Sequence, residues 1–290
     1  MFAATSFSLN PFQDLQSMLA YDFMRNAFIA GGCIAAAAGL VGYFVVLRNQ
    51  VFTTDALGHV AFTGGMGGLL VGLNLLVGVF GSCIAVALAI GSLGGRARGR
   101  DVAIGTVFAW VLGLGLLFLS IFTSSHSASA GNTGISVLFG SILGMQPAQA
   151  AIASVAGLLT SIALLAVARP LLFVSLDPEV AASRGVPIRA LTAFFLVLVA
   201  ITVAESVQAV GALLVFGLMV TPAAVAQNLT TSPYAGMAVS VAVAVLAVWV
   251  GLTLAFFIAY PVSFFITALA FGTFIVSLAL SRGQKKGAPA

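Results

Sequence analysis

The chain has 290 residues, of which 61% are hydrophobic and 6% charged, and its mean hydropathy is +1.19. Eleven Lys and Arg against seven Asp and Glu leave a net charge of +4. That composition excludes a soluble enzyme, a nucleic-acid binder and a secreted disulfide scaffold, and it leaves an integral membrane protein, in which a basic excess is an orientation signal.

In chain order, residues 1–23 form an outer-side segment. Phe12, Leu15 and Leu19 fall at helical spacing there beside Gln13, Asp14 and Gln16, as in a short helix lying in the interface. The segment has neither a basic n-region nor a small-residue cleavage site, so the first span is expected to direct insertion. Apolar runs follow at 24–47, 54–73, 75–93, 101–123, 149–168, 188–204, 207–227, 235–257 and 260–281. Their length suits helices crossing a bilayer, and the alternating pattern of barrel strands is missing. The expected fold is an all-α polytopic membrane protein with one transmembrane domain over 24–281 and a tail over 282–290. It has nine spans, or eight if the runs flanking 205–208 are one bent helix.

With Arg48 on the inner side, Arg96, Arg98, Arg100, Arg169, Arg184, Arg189, Arg282, Lys285 and Lys286 fall there too, and Arg25 alone stays outside. The positive-inside rule then puts the N-terminus outside and the C-terminus in the cytoplasm, in agreement with an odd span number. The longest outer stretch, 123–149, is Ser- and Gly-rich and carries an apolar piece, 135–143, too short to span; it reads as a loop with a re-entrant turn.

Ionisable groups inside spans are costly, and few are present. Asp55 and His59, four apart in VFTTDALGHVAFTGG, share a helix face one turn apart and could grip one divalent cation. A carboxylate with an imidazole suits zinc, manganese or iron, and two copies of the chain meeting on a twofold axis would supply four ligands. The other reading is an Asp at a helix entry with a His hydrogen-bonded to it. Glu205 and Gln208, at the outer surface if the span count is right, line an entrance or form a solvated hinge. His126 lies in a polar loop and is given no role. Gly64, Gly68 and Gly72 make a small-residue stripe for close helix packing, and Thr221 and Pro222 interrupt the seventh span as discontinuous transporter helices do. Trp110 and Trp249 fall mid-span and are expected to fill space between helices. Cys33 and Cys83 sit in apolar runs without CxxC spacing and read as small buried hydrophobes.

The substantial inner segment is 169–189. Asp177 and Pro178 are placed to begin a short helix there, with Glu179 in its first turn, Arg184 at its end, and Gly185 and Pro187 placed to stop it. It is the natural docking surface for a cytoplasmic partner. The chain contains no GxxxxGK[ST] loop, so an ATP-driven step would belong to another protein.

Four stretches, in order, resemble the membrane permease of the metal-ion ABC importers: VLRNQVFTTDALGHVAFTGG, LFGSILG, LDPEVAASRGVPIRAL and GALLVFGLMVTPAAVA. The resemblance covers 24–281. It implies that Asp55 and His59 bind the passing metal and that 177–185 is a coupling helix seated on an ABC ATPase. It also implies that an extracytoplasmic metal-binding protein delivers the ion, and that a second permease copy or a related permease completes the pore. By the same resemblance the chain sits in the cell (inner) membrane, is itself no enzyme and carries no permanent cofactor, only the transported zinc, manganese or iron. Gly58, Val60 and Thr63 depart from the family's usual Ser, Ala and Pro. A rival reading is a secondary transporter or channel using Asp55, His59 and Glu205 as a cation relay.

Overall fold

The computed structural model describes residues 17–92, 97–125, 129–258 and 260–286. Among these every regular element is a helix: α1 Asp22–Leu47, α2 Val51–Leu70, α3 Leu75–Ser92, α4 Ala97–Ser125, α5 Ser129–Phe139, a 3₁₀ turn Ile142–Gly144, α6 Pro147–Leu176, α7 Pro178–Ser183, α8 Ile188–Val210, α9 Val215–Leu229, α10 Pro233–Phe257 and α11 Val262–Lys286. This is what hydrocarbon demands, since only helices and closed barrels satisfy all their backbone polar groups there. Seven of the helices are long and apolar enough to cross a membrane: α1, α3, α4, α6, α8, α10 and α11. The chain is a multi-pass membrane protein. α2 and α9 fall at the two other expected spans; α2 carries Asp55, His59 and several threonines, and α9 has only 15 residues.

α1 is the hub, packing against α10, α6, α9 and α8, while α2 pairs with α3 and α4 and joins the rest through α3 on α8 and through its own contacts with α8 and α9. Without a hydrophobic drive between helices, close backbone approach and interhelical hydrogen bonds must hold them, each bond contributing about 0.6 kcal/mol. α1 is built for this. Its Gly39 faces the α10 backbone, where a side-chain carbon would lie 2.8 Å from the Val241 Cα, and the Ser240 hydroxyl donates to the Gly39 carbonyl at 2.7 Å. Gly42 makes room in the same way for the Met219 carbonyl of α9. At the C-terminal end of α1, the Arg48 guanidinium donates to the Thr192 hydroxyl at 2.9 Å and lies 5.2 Å over the Phe195 ring.

Several expectations need correction. The polar residues at 205–208 do not end a span: α8 runs through them to Val210, and the break comes at Gly211, whose φ of +89° no helix can continue. Thr221 and Pro222 lie inside α9, which does not end there; Pro222 is buried, and the discontinuity lies upstream at 211–214. Pro170 likewise stays inside α6, which continues to Leu176, so the connector expected over 169–189 begins later than residue 169. Trp110 is 67% exposed on the outer flank of α4 and fills no gap between helices. Trp249, 45% exposed, donates to the Phe28 carbonyl at 3.3 Å. Most of the expected interfacial helix, with Phe12 and Leu15, and also His126, lie outside the described residues.

Candidate metal path and coupling surface

α2 holds Asp55 and His59 one turn apart, both half-buried, on an edge that also carries the 70% exposed Phe52. The His59 ring stands edge-on to Phe108 of α4, 4.8 Å between centroids at 87°. No salt bridge joins Asp55 and His59, so neither is used up by the other. Among the described residues no cluster of three or more His, Cys, Asp or Glu forms, so one chain offers this pair as two ligands and needs others from elsewhere.

Behind the pair, Gly58 faces the break between α8 and α9: a side-chain carbon on it would lie 3.2 Å from the Ala212 carbonyl oxygen. Gly58 is seven residues into α2, roughly 10 Å along its axis at 1.5 Å per residue. The break therefore lies deep beside α2 and not at its outer end. The segment after α5 reaches a similar depth, since the Ile142 methyl abuts Gly31, nine residues into α1. These two irregular pieces grip each other by main chain alone. The amides of Ala212 and Leu213 donate to the carbonyls of Val137 and Leu138 at 3.0 and 3.3 Å, and the Ser141 amide donates to the Gln208 carbonyl at 3.2 Å. The Ser263 hydroxyl of α11 closes the group on the Phe139 carbonyl at 2.6 Å. Gly140 and Gly211, with φ of +76° and +89°, make the two turns. Both stood in motifs noted above, but nothing in the sequence signalled that the motifs meet.

The Gln208 side chain borders a cleft beside this clasp together with Ser136, Ser141, Met145 and Gln149. Glu205, three residues earlier, does not line it. Its carboxylate is fully buried against Gly157 of α6 and next to Cys33 of α1, so it is neither a solvated hinge nor at the outer surface. Gly64 and Gly68 receive the α3 backbone at Gly78 as a packing stripe would, whereas Gly72 has nothing within 4 Å and a φ of +80°. Gly72 ends α2 instead: its amide and that of Leu73 return to the carbonyls of Leu69 and Gly68. Of the family departures, Gly58 admits the Ala212 carbonyl, and the Thr63 hydroxyl donates to the Val111 carbonyl at 2.8 Å. Cys83 is fully buried, with its thiol on the Leu57 carbonyl at 3.6 Å.

On the opposite end, Asp177 caps α7, its carboxylate accepting from the Val180 amide at 3.0 Å, with Pro178 in the first turn. Gly185, at φ +77°, stops the helix, and the amides of Gly185 and Val186 return to the carbonyls of Ala182 and Ala181. Only Ala181 of α7 is buried, so Asp177, Pro178, Glu179, Arg184 and Gly185 stand exposed on a short, rigid projection.

The profile of the ABC 3 transport family matches residues 20–281. The chain belongs to the ABC 3 transport family. It is 28% identical to the manganese import system permease protein ScaB of Streptococcus parasanguinis, over 92% of this chain and 93% of that one. It is 30% identical to the manganese transport system membrane protein MntC of Listeria innocua, over 74% and 75%, and 26% identical to a probable iron transport system membrane protein of Haemophilus influenzae, over 93% and 98%. Among solved structures, that of PsaBC from Streptococcus pneumoniae in complex with Fab shares the fold of this ABC 3 chain, with a TM-score of 0.81 at 24% identity over 92% and 94% of the two chains.

Proposed function

We propose that this chain is the membrane permease subunit of an ATP-driven importer for a divalent transition metal, zinc, manganese or iron, with Asp55 and His59 as its intramembrane ligands. The observation that carries the reading is the pair itself: two half-buried, ionisable side chains on one edge of α2, set beside a broken helix, in a family whose relatives include manganese and iron transport proteins. Intramembrane charge next to a helix discontinuity is where transporters hold ions. Two ligands do not complete a coordination shell, so a second permease copy, or a related chain, contributes its own pair across a shared axis.

In this reading the N-terminus faces out, the C-terminus faces the cytoplasm of a cell with this chain in its inner membrane, and α2 and α9 complete nine spans. An extracytoplasmic binding protein delivers the metal towards the clasp of 137–141 on 208–213, with Gln208 near the entrance and Thr221 and Pro222 along the path. ATP is hydrolysed on a separate ABC ATPase that grips the projection at 177–185. Closure of the ATPases shifts α7, α7 moves α6 and α8 through their rigid connections, and the surroundings of Asp55 and His59 open to one side or the other.

The test is metal uptake into proteoliposomes holding this chain with its candidate ATPase and binding protein, with and without ATP, across zinc, manganese and iron. ATP-dependent inward movement of one metal, lost in Asp55→Ala, is expected. ATP-independent movement would return the chain to the secondary-transporter class.

A further inference from the structure

Glu205 has no part in the metal path just described, yet it is an ionisable group placed wholly inside the bundle. It is fully buried, and neither carboxyl oxygen has a hydrogen-bond partner among the described residues. The hydroxyl of the adjacent Ser206 is in the same position. Its surroundings place it deep. An added side-chain carbon on Gly157 would lie 3.3 Å from Glu205 Oε2 and 2.9 Å from the Cys33 carbonyl oxygen, so the missing Gly157 side chain leaves the space into which the carboxyl points. Cys33 is 11 residues into α1 and Gly157 ten residues into α6, roughly 15 Å from the outer end of each helix. That is about the middle of a bilayer core.

The charged and titratable groups on every helix packed against α8 leave this carboxyl without a counter-charge. On α1, Asp22 and Arg25 pair with each other at the outer end, Tyr43 lies further in, and Arg48 caps the inner end on Thr192. α2 contributes Asp55 and His59, α3 contributes Cys83, held on Leu57, α6 the exposed Arg169, and α7 the exposed Glu179. The described parts of α5 and α9 have none, and the basic side chains of α11 lie outside the described residues. Of these neighbours Cys33 meets Glu205 at Gly157, where an added side-chain carbon would touch both. An ionised carboxylate placed in such a site, with no cation or donor reaching it among the described residues, would bear a large cost of lost solvation. The smallest cation that removes that cost is a proton, and Gly157 leaves less than a side-chain carbon's room there, since such a carbon would lie 2.9 Å from the Cys33 carbonyl oxygen.

We propose that Glu205 is a proton-binding site separate from the Asp55 and His59 pair. It holds its proton while α1, α6 and α8 are packed, and exchanges it with water only when they part. The reaction is a simple one: the carboxyl O–H gives its proton to water entering the seam and recovers it on closure. Each opening of that seam is thereby linked to one proton.

The chain has only two glutamates, Glu179 and Glu205, so glutamate labelling reports on these two carboxyls alone. The full-length chain, labelled with carboxyl-¹³C glutamate and reconstituted in lipid nanodiscs, is followed by infrared spectroscopy across pH. The expected result at neutral pH is one ¹³C-shifted carboxylate band, from Glu179, and one ¹³C-shifted carboxylic-acid band that Glu205→Gln removes. Two carboxylate bands at neutral pH would overturn the proposal. The linkage is read by hydrogen–deuterium exchange of the α1 and α6 segments around Cys33 and Gly157. At alkaline pH, exchange there is expected to be severalfold faster in the wild type than in Glu205→Gln, and equal rates would overturn the opening step. Neither measurement needs a partner subunit, so both stand or fall apart from the importer reading.

Discussion

Gly140 and Gly211 face each other across two helix breaks, each in the left-handed region, so that a side-chain carbon on either would run into the main chain of the other's segment. The clasp between α5 and α8 exists because both positions lack side chains. Gly211→Ala therefore meets two penalties: a left-handed backbone costs about 1–2 kcal/mol for a residue with a Cβ, and the new methyl group overlaps the Leu138 carbonyl. The apparent melting temperature in nanodiscs is expected to fall by roughly 5 °C or more. Gly81, which has nothing within 4 Å, serves as the comparison, since Gly81→Ala should hold or raise stability by up to about 1 kcal/mol. Equal melting of the Gly211 variant and the wild type would remove the clasp as a structural element.

Asp55→Ala and His59→Ala are expected to bring ATP-driven metal uptake to background. Both side chains are half-buried and no salt bridge links them, so truncation leaves no orphaned charge in the core. The melting temperature should stay within about 2 °C of wild type. Retained uptake in both variants would show that the metal passes elsewhere.

At the inner projection, Asp177→Ala removes the cap on the Val180 amide, a loss of about 1 kcal/mol, and Gly185→Ala strains the helix stop by about as much again. Because α7 buries only Ala181, the rest of the fold should tolerate both. Co-purification with the ATPase subunit should weaken, and ATP-dependent uptake should drop several-fold while the melting temperature falls by roughly 4 °C or less. Full coupling in the double variant would place the ATPase contact on another segment.

The α2–α3 hairpin offers a contrast between two glycines of one stripe. Gly64 meets Gly78 and Ser82 of α3 so closely that Gly64→Val should cost at least about 3 kcal/mol. Gly72→Ala, open on all sides, should cost only the roughly 1 kcal/mol of its backbone conformation. Thermal unfolding of the two variants side by side reads the difference, and similar losses would mean that the stripe does not hold α3.

The runs of apolar residues made the long helices legible, because in hydrocarbon a span needs little beyond length and hydropathy to become a helix. The short inner helix was legible too, since Asp177, Pro178 and Gly185 are local signals and need no tertiary context. Where the reading went astray, tertiary packing outweighed local polarity. Glu205 and Gln208 looked like the edge of a span, but Gly157 leaves space for the carboxyl, and α8 carries it through the interior. Pro222 read as an interruption of its span, yet the helix runs through it, as α6 runs through Pro170. Asp55 and His59 could be singled out from spacing, but the partner of Gly58 could not, because the Ala212 carbonyl approaches from more than 150 residues away in the chain.

α4 carries a further consequence. Only 6% of its apolar stretch is buried within the chain, and Trp110, Leu116, Leu117 and Ile121 are bare along its flanks. Such a helix is held within the chain on one side, by α2, and its other flanks meet the medium around the molecule. A short-chain detergent replaces that medium, while α1 and α8 remain wrapped in protein. Extraction thus attacks the molecule unevenly, peeling α4 from Phe62 and Phe108 from His59 first, and native lipid retained through purification is what would keep the His59 edge of α2 in its described form.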